Sequence, residues 1–174
     1  MIKNIYLYNK ITNESLFKEE QKFMQHGSFT VYDHSVNVAK TCVRIANKLH
    51  LNIDYNSLVK GALLHDYFLY DWHDNNKEID GLHGFVHPKI AMQNAKRDFG
   101  LNEKEENMIL SHMFPLGKSI PKYKESIILC LADKYCATKE TFSDAKALKL
   151  LKSANTKFTT YSLFILTLLP SCFI

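Results

Sequence analysis

Four histidines and two aspartates carry most of the chemistry open to this chain: His34, His65, Asp66, His87, His112 and Asp133. His65 and Asp66 are adjacent and close the apolar run Gly61-Ala62-Leu63-Leu64. Imidazoles and carboxylates at the edge of a core are costly to bury unless something pairs with them, and a metal ion does so most completely. His34 stands on an apolar helical stripe between Val31 and Val38. Asp133 lies one turn from Leu129-Cys130 and one turn before Cys136-Ala137, a face with nothing ionic to pair with. His112 repeats the pattern after Met108-Ile109. Any one of these suits a satisfied core residue; together they point ligands from separate helices into one interior, as helical bundles do when they hold metals.

The set divides naturally between two ions. His34, His65, Asp66 and Asp133 would fill the protein positions of one metal. Asp66, with two oxygens, would bridge to a second held by His87 and His112. Two metals about 3.5–4 Å apart clamp the attacking and leaving oxygens of an in-line phosphoryl displacement, and a hydroxide between them would be the nucleophile. Neutral imidazole and ionised carboxylate accept Mn, Fe, Co, Zn or Ni alike and leave Mg open, so the expected cofactor is a divalent metal, two per chain. Thiolates are not called for: Cys42, Cys130, Cys136 and Cys172 form no CxxC pair.

Helices must position these groups. Val31, His34, Val38, Cys42, Ile45 and Leu49 follow helical spacing, ending near His50-Leu51-Asn52. Asp54 or Asn56 would cap a second helix through Leu58, Ala62 and Leu63 to His65-Asp66. The polar stretch from Asp71 to Gly84 reads as a loop. Pro88 fits a first helical turn, which places His87 at a helix N-terminus, and Gly100 stops that helix after Phe99. Asn102-Glu103-Lys104-Glu105 resembles a capping box opening a helix through His112, which Pro115 and Gly117 end. Pro121 would start a long helix through Ile128 and Asp133, and Ser143-Asp144 would cap another from Ala145 to about Ser153. With no convincing strand pattern or linker, the expected fold is all-α, a compact helical bundle with a metal site in its core.

The order His34, His65-Asp66, His87, His112, Asp133 resembles the H…HD…H…H…D variant of the HD-domain metal-dependent phosphohydrolases. Val31-Tyr32-Asp33-His34-Ser35, Ala62-Leu63-Leu64-His65-Asp66 and Leu131-Ala132-Asp133 agree with it in context. His26-Gly27-Ser28, Tyr70-Asp71-Trp72-His73, Leu82-His83-Gly84-Phe85-Val86-His87-Pro88 and His112-Met113-Phe114-Pro115-Leu116 are similar to a small bacterial branch of it. The resemblance covers about Gly27 to Ala137 and implies a dinuclear site. The helix after His87, with its Phe99-Gly100-Leu101 ending, is also similar to HD hydrolases that split diadenosine tetraphosphate symmetrically. The glycine- and proline-bearing signature of cyclic-di-GMP phosphodiesterases is absent. We therefore expect residues 1–25 as an N-terminal helical extension, 26–155 as the HD-type domain and 156–174 as an apolar tail.

The expected activity is hydrolysis of a phosphate mono- or diester of a nucleotide or dinucleotide. The alternative is a non-catalytic nucleotide- or metal-binding module, whose mark would be lost ligands; none of the six is missing. Asp66 would bridge the metals and orient the nucleophile. His83, four residues before His87, would either compete for its metal or serve as proton donor or substrate contact. Lys89 in the first turn after His87, Lys118 in the loop after His112, Lys134 beside Asp133, and His26 before Gly27 are candidates for substrate phosphates. One residue beyond Asp133, Lys134 is turned about 100° from the metal. Tyr67, Phe68, Tyr70 and Trp72 could stack on a nucleobase or pack into the core.

At 174 residues, 46% hydrophobic and 23% charged, the chain has the material for one cored domain. A net charge of +4 with scattered lysines is weak for a nucleic-acid binder and suits a small anionic substrate, so nucleic acid is not expected as a partner. The N-terminus opens no leader pattern, which points to a cytoplasmic protein with reduced cysteines. Phe158 to Ile174 contains no charged residue. That tail reads as a terminal helix packed on the core or on a second subunit, the latter implying a homo-oligomer, and it leaves a membrane contact open.

Overall fold

The computed structural model describes residues 5–26, 28–73 and 81–143, and they form an all-α bundle with one small hairpin. Helix α1 (Ile5–Asn13) and the single turn α2 (Ser15–Lys18) lead into a 3-10 turn, Glu19–Lys22. Strands β1 (Met24–His26) and β2 (Phe29–Thr30) pair antiparallel. Then come α3 (Val31–Lys48), α4 (Tyr55–Leu64), α5 (His83–Phe99), α6 (Glu103–Ser111) and α7 (Lys124–Ser143). Helix α3 packs on both α4 and α7, while α6 is wedged among α4, α5 and α7.

Local chemistry sets the helix limits. Thr30 caps α3 with a full box: its hydroxyl oxygen accepts from Asp33 N–H at 3.1 Å, and Asp33 accepts from Thr30 N–H at 3.2 Å. Thr30→Ala should cost about 1 kcal/mol of unfolding free energy, read from chemical denaturation of the full chain. Asp54, not Asn56, caps α4, accepting from the N–H groups of Asn56 and Ser57. Asn102 and Glu105 form the expected box at α6. Helices α4 and α6 approach closely at Gly61, where a Cβ would lie 2.6 Å from Met108 Cε. Gly100 follows α5 at φ +60°, a conformation that favours glycine.

Three expectations are corrected. Helix α5 begins at His83, not at His87, so Pro88 is its sixth residue. A proline there deprives only the Gly84 carbonyl of its helical donor, while Leu82 caps the end by accepting from Phe85 and Val86. Helix α7 begins at Lys124, three residues after Pro121. The β1–β2 hairpin is too short for an alternating pattern to reveal. The expected helix from Ala145 to Ser153 and the apolar tail lie outside the described residues. Among the described residues no helix is long and apolar enough to cross a membrane.

Candidate metal centre

His34 enters from the first turn of α3, His65 and Asp66 from the end of α4, and His87 from the second turn of α5. His112 follows the last turn of α6, and Asp133 comes from the middle of α7. Leu69, three residues after Asp66, takes a left-handed conformation at φ +58°. All six residues are buried: His34 and His65 are 0% exposed, and Asp133, the most open, is 8% exposed.

The four imidazoles share one orientation. Nδ1–H of His65 donates to the Ala62 carbonyl at 2.9 Å, that of His87 to His83 at 2.8 Å and that of His112 to Ile109 at 2.7 Å. His34 Nδ1–H donates to Glu140 at 2.7 Å. Every Nε2 therefore faces inward. His65 Nε2 has no hydrogen-bond partner, and neither has Asp66 Oδ1. Nε2 of His87 and Nε2 of His112 confront each other at 2.8 Å. With both Nδ1 protons committed, two lone pairs at that distance require a proton or a cation between them.

Two groups could each hold an ion: His34 with His65 and Asp66, and Asp66 with His87 and His112. Asp66 serves both through different oxygens. Oδ1 lies 3.3 Å from His87 Nε2 and 3.4 Å from His112 Nε2, while Oδ2 lies 3.4 Å from His65 Nε2 and 3.9 Å from His34 Nε2. Asp133 stands beside the first group, its Oδ1 3.1 Å from His34 Nε2 and 3.6 Å from His65 Nε2. Buried, convergent nitrogen and carboxylate donors with unmet lone pairs fit divalent transition metals.

The electrostatics divide the centre. Burial pulls His34 down, but its hydrogen bonds to Asp133 and Glu140 outweigh that and hold it well above the ordinary histidine range. His65 is raised too, since Asp66 and Asp133 overcome burial. Burial pushes His112 down to about 3, more than the Asp66 charge draws it back up. Both aspartates lie well below the usual carboxylate range, because the imidazoles outweigh desolvation. A metal entering at His34 must displace a proton. Affinity for Mn²⁺ should therefore rise with pH, by up to about tenfold per unit for each of His34 and His65 that stays protonated, and level off above their pKa values. Calorimetric titrations across a pH series would measure this; His112, already neutral, adds no such slope near pH 7.

Glu140 escaped the sequence reading. It is 3% exposed, holds His34 Nδ1 through one oxygen and accepts from Asn37 through the other at 3.0 Å. Its position seven residues after Asp133, two helical turns along one face, was the available signal. Gln25 was also missed; its amide donates to Asp66 Oδ2 at 2.6 Å.

The remaining candidates fall in different places. His83 is not in either ligand group; its ring stacks on His87 at 4.5 Å, and its Nδ1 is hydrogen-bonded to the Tyr70 hydroxyl at 2.9 Å. Lys134 is turned less far away than its position suggested, since its ammonium donates to the His112 carbonyl at 3.2 Å. Lys89 and Lys118 are exposed, and Lys89 is no longer at a helix start. The His26 side chain lies outside the described part of the structure. Trp72 is already engaged by rings, stacked on His83 at 4.9 Å and 3.8 Å from His73. Tyr67 and Phe68 are core residues.

The family described as HD domain matches residues 31–138. Ribonuclease Y of Pseudothermotoga lettingae is 31% identical over 118 residues, 68% of this chain but 20% of that protein. The chain thus spans about a fifth of that relative's length. No solved structure matches.

Proposed function

Because the chain belongs to the HD-domain family, we propose that it is a metal-dependent phosphohydrolase cleaving a phosphate mono- or diester of a nucleotide or dinucleotide. The observation that carries this reading is the inward convergence of four Nε2 atoms on an Asp66 carboxylate shared by two ligand groups. His34, His65, Asp66 and Asp133 would hold one ion; Asp66, His87 and His112 would hold the other. When bound, the ions supply a water-derived nucleophile at neutral pH and positive charge against the phosphoryl oxygens.

The chain's own groups do the rest. Asp66 sets the spacing of the two halves and orients the nucleophile. His83, braced by Tyr70 and lying flat on His87, would pass a proton to the leaving oxygen. Lys134, held at the His112 carbonyl, is the best placed of the three lysines to meet a substrate phosphate. Glu140 fixes the His34 ring and raises its basicity, as outer carboxylates do at metal-bound histidines.

A panel assay tests the reading. The full chain, loaded in turn with Mn, Fe, Co or Zn, should release product from nucleoside phosphates or dinucleoside polyphosphates only when metal is present. Tight nucleotide retention without product under every metal would instead identify a binding module. The name of the relative makes an RNA phosphodiester the second reading. Cleavage of an RNA oligonucleotide with no turnover of small nucleotides would favour it.

A further inference from the structure

Glu20 lies in the 3-10 turn ahead of the hairpin, outside the family-matched residues 31–138. It is 0% exposed, and neither carboxyl oxygen has a hydrogen-bond partner. A carboxylate buried in that way is expensive, and an apolar side chain would fill the same space at no electrostatic cost. Its surroundings show what it faces. The Ser35 hydroxyl, next to His34 in the chain, stands beside it, and burial and the Asp66 charge raise the Glu20 carboxyl more than Ser35 and His34 draw it back. Five residues on, Gln25 is tied to Asp66 at 2.6 Å, while its carbonyl oxygen is left without a partner. An ionised aspartate can only accept, so the Gln25 amide must face Asp66.

The N-terminal segment thus places a spare buried carboxylate and a spare buried carbonyl on the side of the shared ligand. In the metal-free chain burial and the Asp66 charge disfavour the ionised form of Glu20, holding its carboxyl well above the usual range. A dication held by Asp66 reverses that interaction, because an anion near Asp66 is near whatever Asp66 holds. Among the six candidate ligands only Asp66 and Asp133 bring negative charge against the four positive charges of two divalent ions. We infer that Glu20 supplies further counter-charge, a positioning residue through which the segment before the hairpin tightens metal binding at Asp66. This rests on the metal reading above.

Calorimetric titration of Mn²⁺ into the metal-free full chain, with thermal melts of the same samples, tests it. Glu20→Gln and Glu20→Met should weaken Mn²⁺ binding about ten- to a hundredfold, the range for groups that act on a metal through its ligands. The metal-free melts should be unchanged or higher, because a buried carboxyl group has been removed. Glu20→Asp, which keeps the charge, should recover part of the affinity. Wild-type affinity in Glu20→Gln overturns the inference, and so does weaker binding accompanied by a lower metal-free melt, which marks a structural residue. If the unaltered chain binds no Mn²⁺, the metal reading itself fails instead.

Discussion

Asp66→Ala is expected to reduce phosphoester turnover by about 10⁴-fold, the scale on which residues central to catalysis act, while the helical fold persists. Asp66 is the only residue common to both ligand groups, and its two oxygens face different histidine pairs. Removing it takes the shared charge from both ions at once. The fold should survive because the apolar core of α3, α4, α6 and α7 does not depend on this side chain. His34 keeps Asp133 and Glu140 as partners, so its charge is not stranded. Stability is best compared at pH 8, where unpaired imidazoles can discharge. Asp66→Asn, of nearly the same shape, should be equally inactive, since a neutral amide brings no charge to either ion. Full activity in a folded Asp66→Ala chain would show that the shared carboxylate is not the centre of the chemistry.

Metal removal should have the second largest effect. Stripping the chain with a chelator is expected to lower its melting temperature by about 10 °C relative to protein at a metal concentration about a thousandfold above Kd. The reason is the opposed Nε2 atoms of His87 and His112 at 2.8 Å, together with the unpartnered His65 Nε2 and Asp66 Oδ1. These groups are buried and unsatisfied in the metal-free fold, and an ion satisfies them only there, because the unfolded chain cannot assemble the set. The shift should reverse on adding Mn or Zn and should be largely lost in Asp66→Ala. Coincident melts with and without metal would mean that protons, not ions, occupy the centre.

His34, His112 and Asp133 were legible because each interrupts an apolar helical face, and His65-Asp66 because it closes an apolar run, with a group that hydrocarbon cannot satisfy; His87 was legible through Pro88 and the resemblance. That signal is local, and helices preserve it. Glu140 carried the same signal at two turns from Asp133 and was passed over among the charges of an ordinary helix end. Gln25 and Glu20 carried none. Their burial arises where a 3-10 turn and a short hairpin fold back on α3, and Gln25 meets Asp66 across 41 positions of sequence. The start of α5 was misplaced because proline excludes itself only from helix interiors. Near an N-terminus the missing N–H costs little at several positions, so Pro88 could not fix the boundary alone. Lys134 was judged by the angle of its Cα, yet four methylenes carry its ammonium back to the end of α6.

The most direct test of the central claim is a count of metal per chain. Full-length protein equilibrated with Mn, Fe, Co or Zn, freed of loose ions and analysed by elemental mass spectrometry should hold close to two ions per chain with at least one of these metals. Asp66→Ala should hold fewer than one. Less than one ion per unaltered chain under every loading condition would contradict the account, because the convergent Nε2 atoms would then serve some purpose other than holding metal.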